Sequence, residues 1–313
     1  AWCMRRTLHL LPSEDLAIFV RGSARRAEQE IRWVLRKGVP SRILERLIDT
    51  ALTALDEPLT RRELAERIRR SLRAPMRGYV GGGWGSRATI PAVAVGGMTF
   101  PIVYLLHLIG ARGVICSGPS RGNEPTFVRA DAWIPRWRDV PRERAEAELL
   151  YRYLRAFGPA TPTDFRAWNR MPLADAREIW AREEAEIARV RVDGQEAWIL
   201  REDLAALTSA RITRPHVRLL PYFDTFLLGH DNRAHLVAAG DQKKVYRAQG
   251  WIAPVVLVDG RVVGVWAHAR ERDRLQVRIT KFAPLTQPIK SAIRAEALDL
   301  GRFVGANDVD VRT

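Results

Sequence analysis

Cysteine is nearly absent from this chain. Cys3 and Cys116 stand far apart and have no companions, which excludes a disulfide framework and a Cys-rich metal site and points to a reducing cytoplasm. Long apolar runs are missing too: the stretches 93–95 and 252–258 fall far short of the roughly 20 residues a spanning helix needs. No secretory signal pattern opens the sequence. Nor does it hold a phosphate-binding Walker loop, a dinucleotide fingerprint, a nucleophile elbow or a zinc-deaminase signature, so cofactor chemistry has no support. Acidic residues are in deficit, and that deficit is the first positive signal.

Lys and Arg number 51 against 36 Asp and Glu, a net charge of +15 and a pI near 10.8. Such a balance favours a polyanionic partner. The charges are dispersed, with no basic tail and no lysine-rich block beside an apolar segment, so nucleic acid is preferred over a membrane surface. Arg far exceeds Lys, which suits bidentate phosphate recognition and equally reflects high-GC coding. At 313 residues the chain can form two or three units, each with its own core.

Residues 7–10 alternate like a short strand, and an amphipathic helix follows from Pro12 to about Val20. Residues 43–55 place Ile43, Leu44, Leu47, Ile48, Ala51, Leu52 and Leu55 on one helical face. Thr60 and Glu63 predict a capping box, with Leu59 and Leu64 as its hydrophobic staple. A Gly-rich connection, 78–97, leads to a helix over 101–109, and strands over 113–117 and 125–129 flank a turn. Three helices and a hairpin are the winged-helix order. The order recurs more clearly from Arg142. A helix over 142–155 precedes one opened by Thr161, Pro162 and Asp164, and Asn169-Arg170-Met171 turns into a third over 172–182. Strands over 187–192 and 196–200 then meet at Asp193-Gly194, a favoured hairpin turn. From Val217 the pattern becomes strands, closed by a helix over 289–303. The expected fold is α+β, tandem winged helix-turn-helix units with a C-terminal β-barrel-like sheet. Its segments are a remnant of a first winged helix (1–26), a second (27–138), a third (139–208) and the barrel-like domain (209–313).

Several residues are candidates for function. Arg166, Arg170, Arg177 and Arg182 surround the clear helix-turn-helix and suit phosphate or base contacts, against the alternative of ordinary solvated helix charges. Arg5, Arg6, Thr7 and His9 form a cluster suited to phosphate oxygens, His9 being equally compatible with a structural role. Asp224 lies among aromatics, where a carboxylate needs a partner or a raised pKa. It is a candidate to act on water or sugar, or alternatively caps residues 225–228 or pairs with an arginine. His230, Asp231 and His235 lack metal-ligand spacing, so no metal is expected. Exposed members of the ten Trp would suit base stacking, but the sequence does not sort them.

Four stretches taken together resemble the AlkZ and YcaQ type of bacterial winged-helix DNA glycosylase. They are residues 4–10, residues 149–168 around Arg155-Ala156-Phe157-Gly158-Pro159-Ala160-Thr161, residues 219–233 and residues 250–266. The resemblance implies tandem winged helices with a β-barrel, duplex DNA as partner, and hydrolytic excision of alkylated or crosslinked bases without metal or cofactor. It also implies a catalytic Gln-x-Gln or Gln-x-Asp ahead of the Thr7-Leu8-His9-Leu10 stretch. The six glutamines here, among them Gln29, Gln195 and Gln249, sit in no such pattern. The expectation is that the chain begins too late to contain the motif, that upstream sequence supplies it, and that this chain by itself binds without cutting. The competing reading is a non-catalytic DNA-binding protein or regulator. No heptad or dimerisation helix is evident to give a regulator's paired half-sites, and a monomer is expected.

Overall fold

The computed structural model describes residues 1–83, 86–135 and 139–313; the side chains of Arg6, 81–83 and 86–88 lie outside that description. These residues divide into two compact units, Ala1–Leu200 and Arg201–Thr313.

The first unit opens with a one-turn 3₁₀ helix at Met4–Arg6, followed by α1 (Leu16–Gly22), α2 (Ala24–Arg36) and α3 (Ser41–Ala54). The stretch read as a strand at 7–10 is irregular and keeps one bridge, Leu8 to Trp2. Helix α2 has no side-chain cap, which is why the sequence did not announce it. Next come β1 (Leu59–Thr60), α4 (Arg61–Leu72), β2 (Met76–Gly83), β3 (Ser86–Val95), β4 (Met98–Pro101), α5 (Ile102–Ala111), β5 (Ile115–Ser117), β6 (Thr126–Arg129) and α6 (Ala130–Trp133). The Thr60–Glu63 capping box is present at the start of α4. The Gly-rich connection is not a loop: β2 pairs antiparallel with β3 from Met76–Val93 to Gly83–Ser86. Glycine lowers strand propensity, but Tyr79, Val80, Thr89 and Ile90 supply the residues that favour pairing. Leu47, Ile48, Leu64, Ile68, Ile102, Leu106 and Ile109 join α3, α4 and α5 in one core.

The unit continues with α7 (Arg142–Phe157), α8 (Pro162–Asn169), α9 (Leu173–Arg182), β7 (Ile187–Val192) and β8 (Gln195–Leu200). Each element follows its predicted bounds closely. Thr161 and Asp164 form the capping box of α8, with Pro162 in its first turn. Arg170 ends α8 in the left-handed region at φ 62°. Asp193 and Gly194, at φ 49° and 80°, make the hairpin turn, both left-handed as a type I′ turn requires. A second core gathers Met4, Leu149, Leu150, Tyr153, Phe165, Trp168, Ile179 and Trp180. Gly22 lets α1 lie close on α7, since a Cβ there would stand 2.7 Å from the Ala145 carbonyl oxygen.

The second unit contains α10 (Leu204–Ser209), β9 (Val217–Leu220), α11 (Gln242–Val245), β10 (Val255–Val258), β11 (Arg261–Glu271), β12 (Arg274–Lys281), α12 (Gln287–Val304) and β13 (Asp308–Arg312). The barrel-like expectation needs correction. The strands form one sheet in the order β13-β12-β11-β10-β9, with β9 and β13 at its two edges and no closure between them among the described residues. Strand β10 shows why period-two reading found strands but not their arrangement. Val256 and Val258 enter a core with Ile293 and Ala297 of α12, whereas Val255 and Leu257 enter another with Leu227, Leu236, Val237 and Val245. Both faces are covered, so this sheet is a layer between two cores.

Candidate nucleic-acid interface

The short helix α8 and the turn at Arg170 set the direction of α9. Backbone N–H groups of Arg170 and Met171 both donate to the Arg166 carbonyl, at 2.7 and 3.3 Å, a tight reversal made possible by the left-handed Arg170. The four arginines proposed around this turn then separate into distinct environments. Arg170 and Arg177 are exposed and have no ion-pair partner among the described residues. Arg166 is half-buried, with its Nε shut off from solvent and unpaired.

Arg182 is engaged elsewhere. Its guanidinium donates to Glu146 Oε2 at 3.2 Å and to Glu183 Oε1 at 3.1 Å. Glu146 is the centre of a larger network, being wholly buried and also accepting from Arg25 at 2.8 Å and Arg142 at 3.1 Å. Burial alone would push the Glu146 carboxyl up, but hydrogen bonds from Arg25, Arg142 and Arg182 outweigh it and hold the group below the usual carboxylate range. Arg25 reaches on to Glu178 of α9 at 2.6 Å. The network therefore ties α2, α7 and α9 together. Sequence reasoning missed it because α2 was not seen; an Arg25-Arg26 pair two residues from Glu28 was the available signal.

The amino-terminal candidates also take structural parts. Arg5, left-handed at φ 54°, donates from Nη1 to the Trp168 carbonyl at 3.0 Å, a favourable place for a cation near the C-terminus of α8. The Thr7 hydroxyl donates to the Met4 carbonyl at 3.1 Å. His9 Nε2 lies 2.9 Å from Thr7 Oγ1 and 3.1 Å from the same carbonyl. Desolvation lowers the His9 pKa below its ordinary value, overcoming the Met4 carbonyl, so the ring is neutral at pH 7. The Arg6 side chain lies outside the described residues. Nearby, the buried Ser23 hydroxyl donates to Asn169 Oδ1 at 2.9 Å, joining the start of α2 to the end of α8. This corner locks the orientation of α8.

In the second unit, Asp224 takes the capping role: its Oδ1 accepts from the Phe226 N–H at 2.9 Å at the head of the 3₁₀ turn Thr225–Leu228. The partner its aromatic neighbourhood demanded is thus a backbone donor. Asp224→Asn retains an acceptor of the same shape and is expected to keep the melting temperature. Asp224→Ala should lose about 1 kcal/mol of stability. A fall in melting temperature as large in the Asn as in the Ala variant would contradict a simple capping role. The His230 and His235 rings pack edge to face with centroids 4.7 Å apart.

The tryptophans are now sorted. Trp2, Trp168, Trp180 and Trp266 are buried, Trp198 is half-buried and Trp33, Trp133 and Trp251 are exposed; Trp84 and Trp137 lie outside the described residues.

Comparison with known proteins decides what this scaffold serves. The sequence model of the family described as "DNA glycosylase AlkZ-like" matches residues 1–303. The chain belongs to the AlkZ-like DNA glycosylase family. The interstrand DNA cross-link repair glycosylase of Streptomyces sahachiroi is 31% identical over 320 residues, covering 99% of this chain and 80% of the relative. The solved structure of Streptomyces sahachiroi DNA glycosylase AlkZ superimposes with a TM-score of 0.79 at 30% identity, covering 99% of this chain and 80% of that one. The family gives this AlkZ-like chain a DNA repair glycosylase role, with DNA as its partner. None of the described helices is long and apolar enough to cross a membrane.

Proposed function

We propose that this protein excises alkylated or crosslinked bases from duplex DNA by hydrolysing the N-glycosidic bond. The family match over nearly the whole chain carries this reading, and the relative named for interstrand cross-link repair supports crosslinked bases as a lesion. The chemistry asks little of the protein for such lesions. A ring-alkylated purine already carries positive charge and leaves readily, so the site has to place a water and stabilise the sugar as it becomes cationic.

We further propose that residues 27–138 and 139–208 act as winged helix-turn-helix units, after a remnant of another at 1–26, and that the protein works as a cytoplasmic monomer. In the clearer unit α9 follows α8 as the groove reader and β7–β8 is the wing. The exposed Arg170 and Arg177 support this, because phosphate contacts position such a unit on the duplex. The test uses the protein expressed with any coding sequence upstream of Ala1 and two substrates, a duplex carrying single alkylated purines and one carrying an interstrand cross-link. The proposal expects abasic sites from the first and separated strands from the second. Binding of both duplexes without either product would replace it with the non-catalytic DNA-binding reading.

A further inference from the structure

One surface of the second unit is not accounted for by any role given so far. It forms where two of the sequence stretches that carry the family resemblance meet. Residues 221–226 bring the Phe223 ring to within 5.2 Å of the Trp251 ring, and the Tyr222 ring to within 6.1 Å of it at 79°. These rings do not all retreat into the core: Tyr222 is 54% exposed, Phe226 38% and Trp251 38%.

The backbone that presents them is constrained. Phe223 and Gln249 both occupy the left-handed region at φ 59°, and Gly250 follows at φ 80°. A left-handed aromatic is unfavourable and persists only where its surroundings impose it, and such residues cluster at functional sites. The impositions are visible. The Arg247 N–H donates to the Trp251 carbonyl at 2.8 Å, and Tyr246 pairs with Ile252 across the turn. The Tyr246 hydroxyl donates to the Leu227 carbonyl at 3.0 Å, tying the two stretches together above the buried Leu227, Val245 and Ile252. The backbone of the Trp251 turn is therefore constrained before any ligand arrives.

Charge selects the ligand. Lys243, Lys244 and Arg247 are exposed on the segment leading to Trp251. Lys244 is paired with Asp241 at 2.7 Å, whereas Lys243 and Arg247 have no carboxylate partner among the described residues. Asp224, the one carboxylate of residues 221–226, is occupied by the Phe226 N–H. Exposed aromatic faces beside unneutralised cations match the two parts of a nucleotide, because every base offers a π-face and every phosphate a negative charge.

We infer that Tyr222 and Trp251, with Arg247 on the same turn as Trp251, form a stacking platform for an unpaired nucleobase of the bound DNA. The inference rests on the reading that DNA is the partner and adds that the second unit recognises a locally unstacked strand. Paired bases in a duplex present their edges, not their faces, so the platform discriminates against intact helix.

The experiment uses the full chain and two duplexes of equal length, one fully paired and one with a single-base bulge of 2-aminopurine. Stacking on the platform is expected to quench the 2-aminopurine emission on binding. Tyr222→Ala and Trp251→Ala should each lower the preference for bulged over paired duplex by about tenfold, as the loss of one aromatic stacking partner predicts, and Trp251→Phe should restore most of it. Because Trp251→Ala also removes contact with Phe223, the more exposed Tyr222→Ser provides a variant that leaves the Phe223–Trp251 contact in place. An unchanged preference in Tyr222→Ser and Trp251→Ala proteins that melt like wild type, together with unquenched emission, would overturn the platform. If the wild-type protein binds neither duplex, the DNA reading itself fails. If it binds and releases alkylated bases while the bulge reporter stays unquenched, only the platform fails.

Discussion

Replacing Arg170 with Asn together with Arg177 with Gln is expected to weaken duplex binding roughly tenfold and to reduce the slope of log affinity against log salt by about 1.8. The slope is the sharper readout, because each phosphate contact removed releases about one fewer counterion whatever the sequence. These two arginines are chosen because they are exposed and lack an ion pair among the described residues. Arg182 is unsuited, its guanidinium being committed to Glu146 and Glu183, so its loss would report on folding. Arg166 is half-buried and mixes the two effects. Asn is used at position 170 because the residue there is left-handed and Asn tolerates that conformation better than Ala. Unchanged affinity and slope in a protein that melts like wild type would show that this helix-turn-helix faces away from the DNA.

Glu146→Ala should destabilise the first unit by about 3 kcal/mol, toward the low end for breaking a buried ion pair. Two facts set that size. Glu146 is wholly buried and accepts from three guanidinium groups, so its removal leaves an inward-facing cluster of positive charge. Each arginine nevertheless keeps a second acid: Glu178 for Arg25, Glu28 for Arg142 and Glu183 for Arg182. For a unit of this size the loss corresponds to a fall in melting temperature of about 10 °C. The pH dependence has a definite sign. The folded Glu146 pKa is depressed, so its stabilisation is fully present above its ordinary value, 4.5, and disappears as pH falls through the folded value. Urea unfolding of wild type and variant should converge toward acid pH. A gap of the same size at every pH would mean that Ala acts through a cavity and not through charge.

How far the sequence revealed these features depended on whether their causes are local. The Thr60–Glu63 and Thr161–Asp164 capping boxes were legible because the residues that cap lie three positions apart. The Asp193-Gly194 turn was legible for a similar reason, since the residues that tolerate positive φ are the signal. Helix α2 was not, because its ends carry no side-chain cap and its order comes from distant partners: Arg25 with Glu146 and Glu178, and Ser23 with Asn169. Strand β2 was obscured by its own glycines and β3 was read as part of the same connection, and the open sheet was mistaken for a barrel because alternation gives a strand's faces but not its neighbours. At the candidate site the arginines were visible as residue types. Arg182, for instance, is committed to Glu146, more than thirty positions away. Spacing alone could not show that. The aromatic surface around Trp251 was likewise hidden, since it needs residues 221–226 and 246–252 side by side.

The most direct test of the account is a single-turnover assay, on the protein expressed with any coding sequence upstream of Ala1, of free base released from duplex DNA carrying N7-alkylated guanine, with the released base identified by mass. The account predicts time-dependent accumulation of the intact alkylated base, matched one for one by abasic sites. Stable binding of the same duplex with no base released above the uncatalysed rate would contradict it.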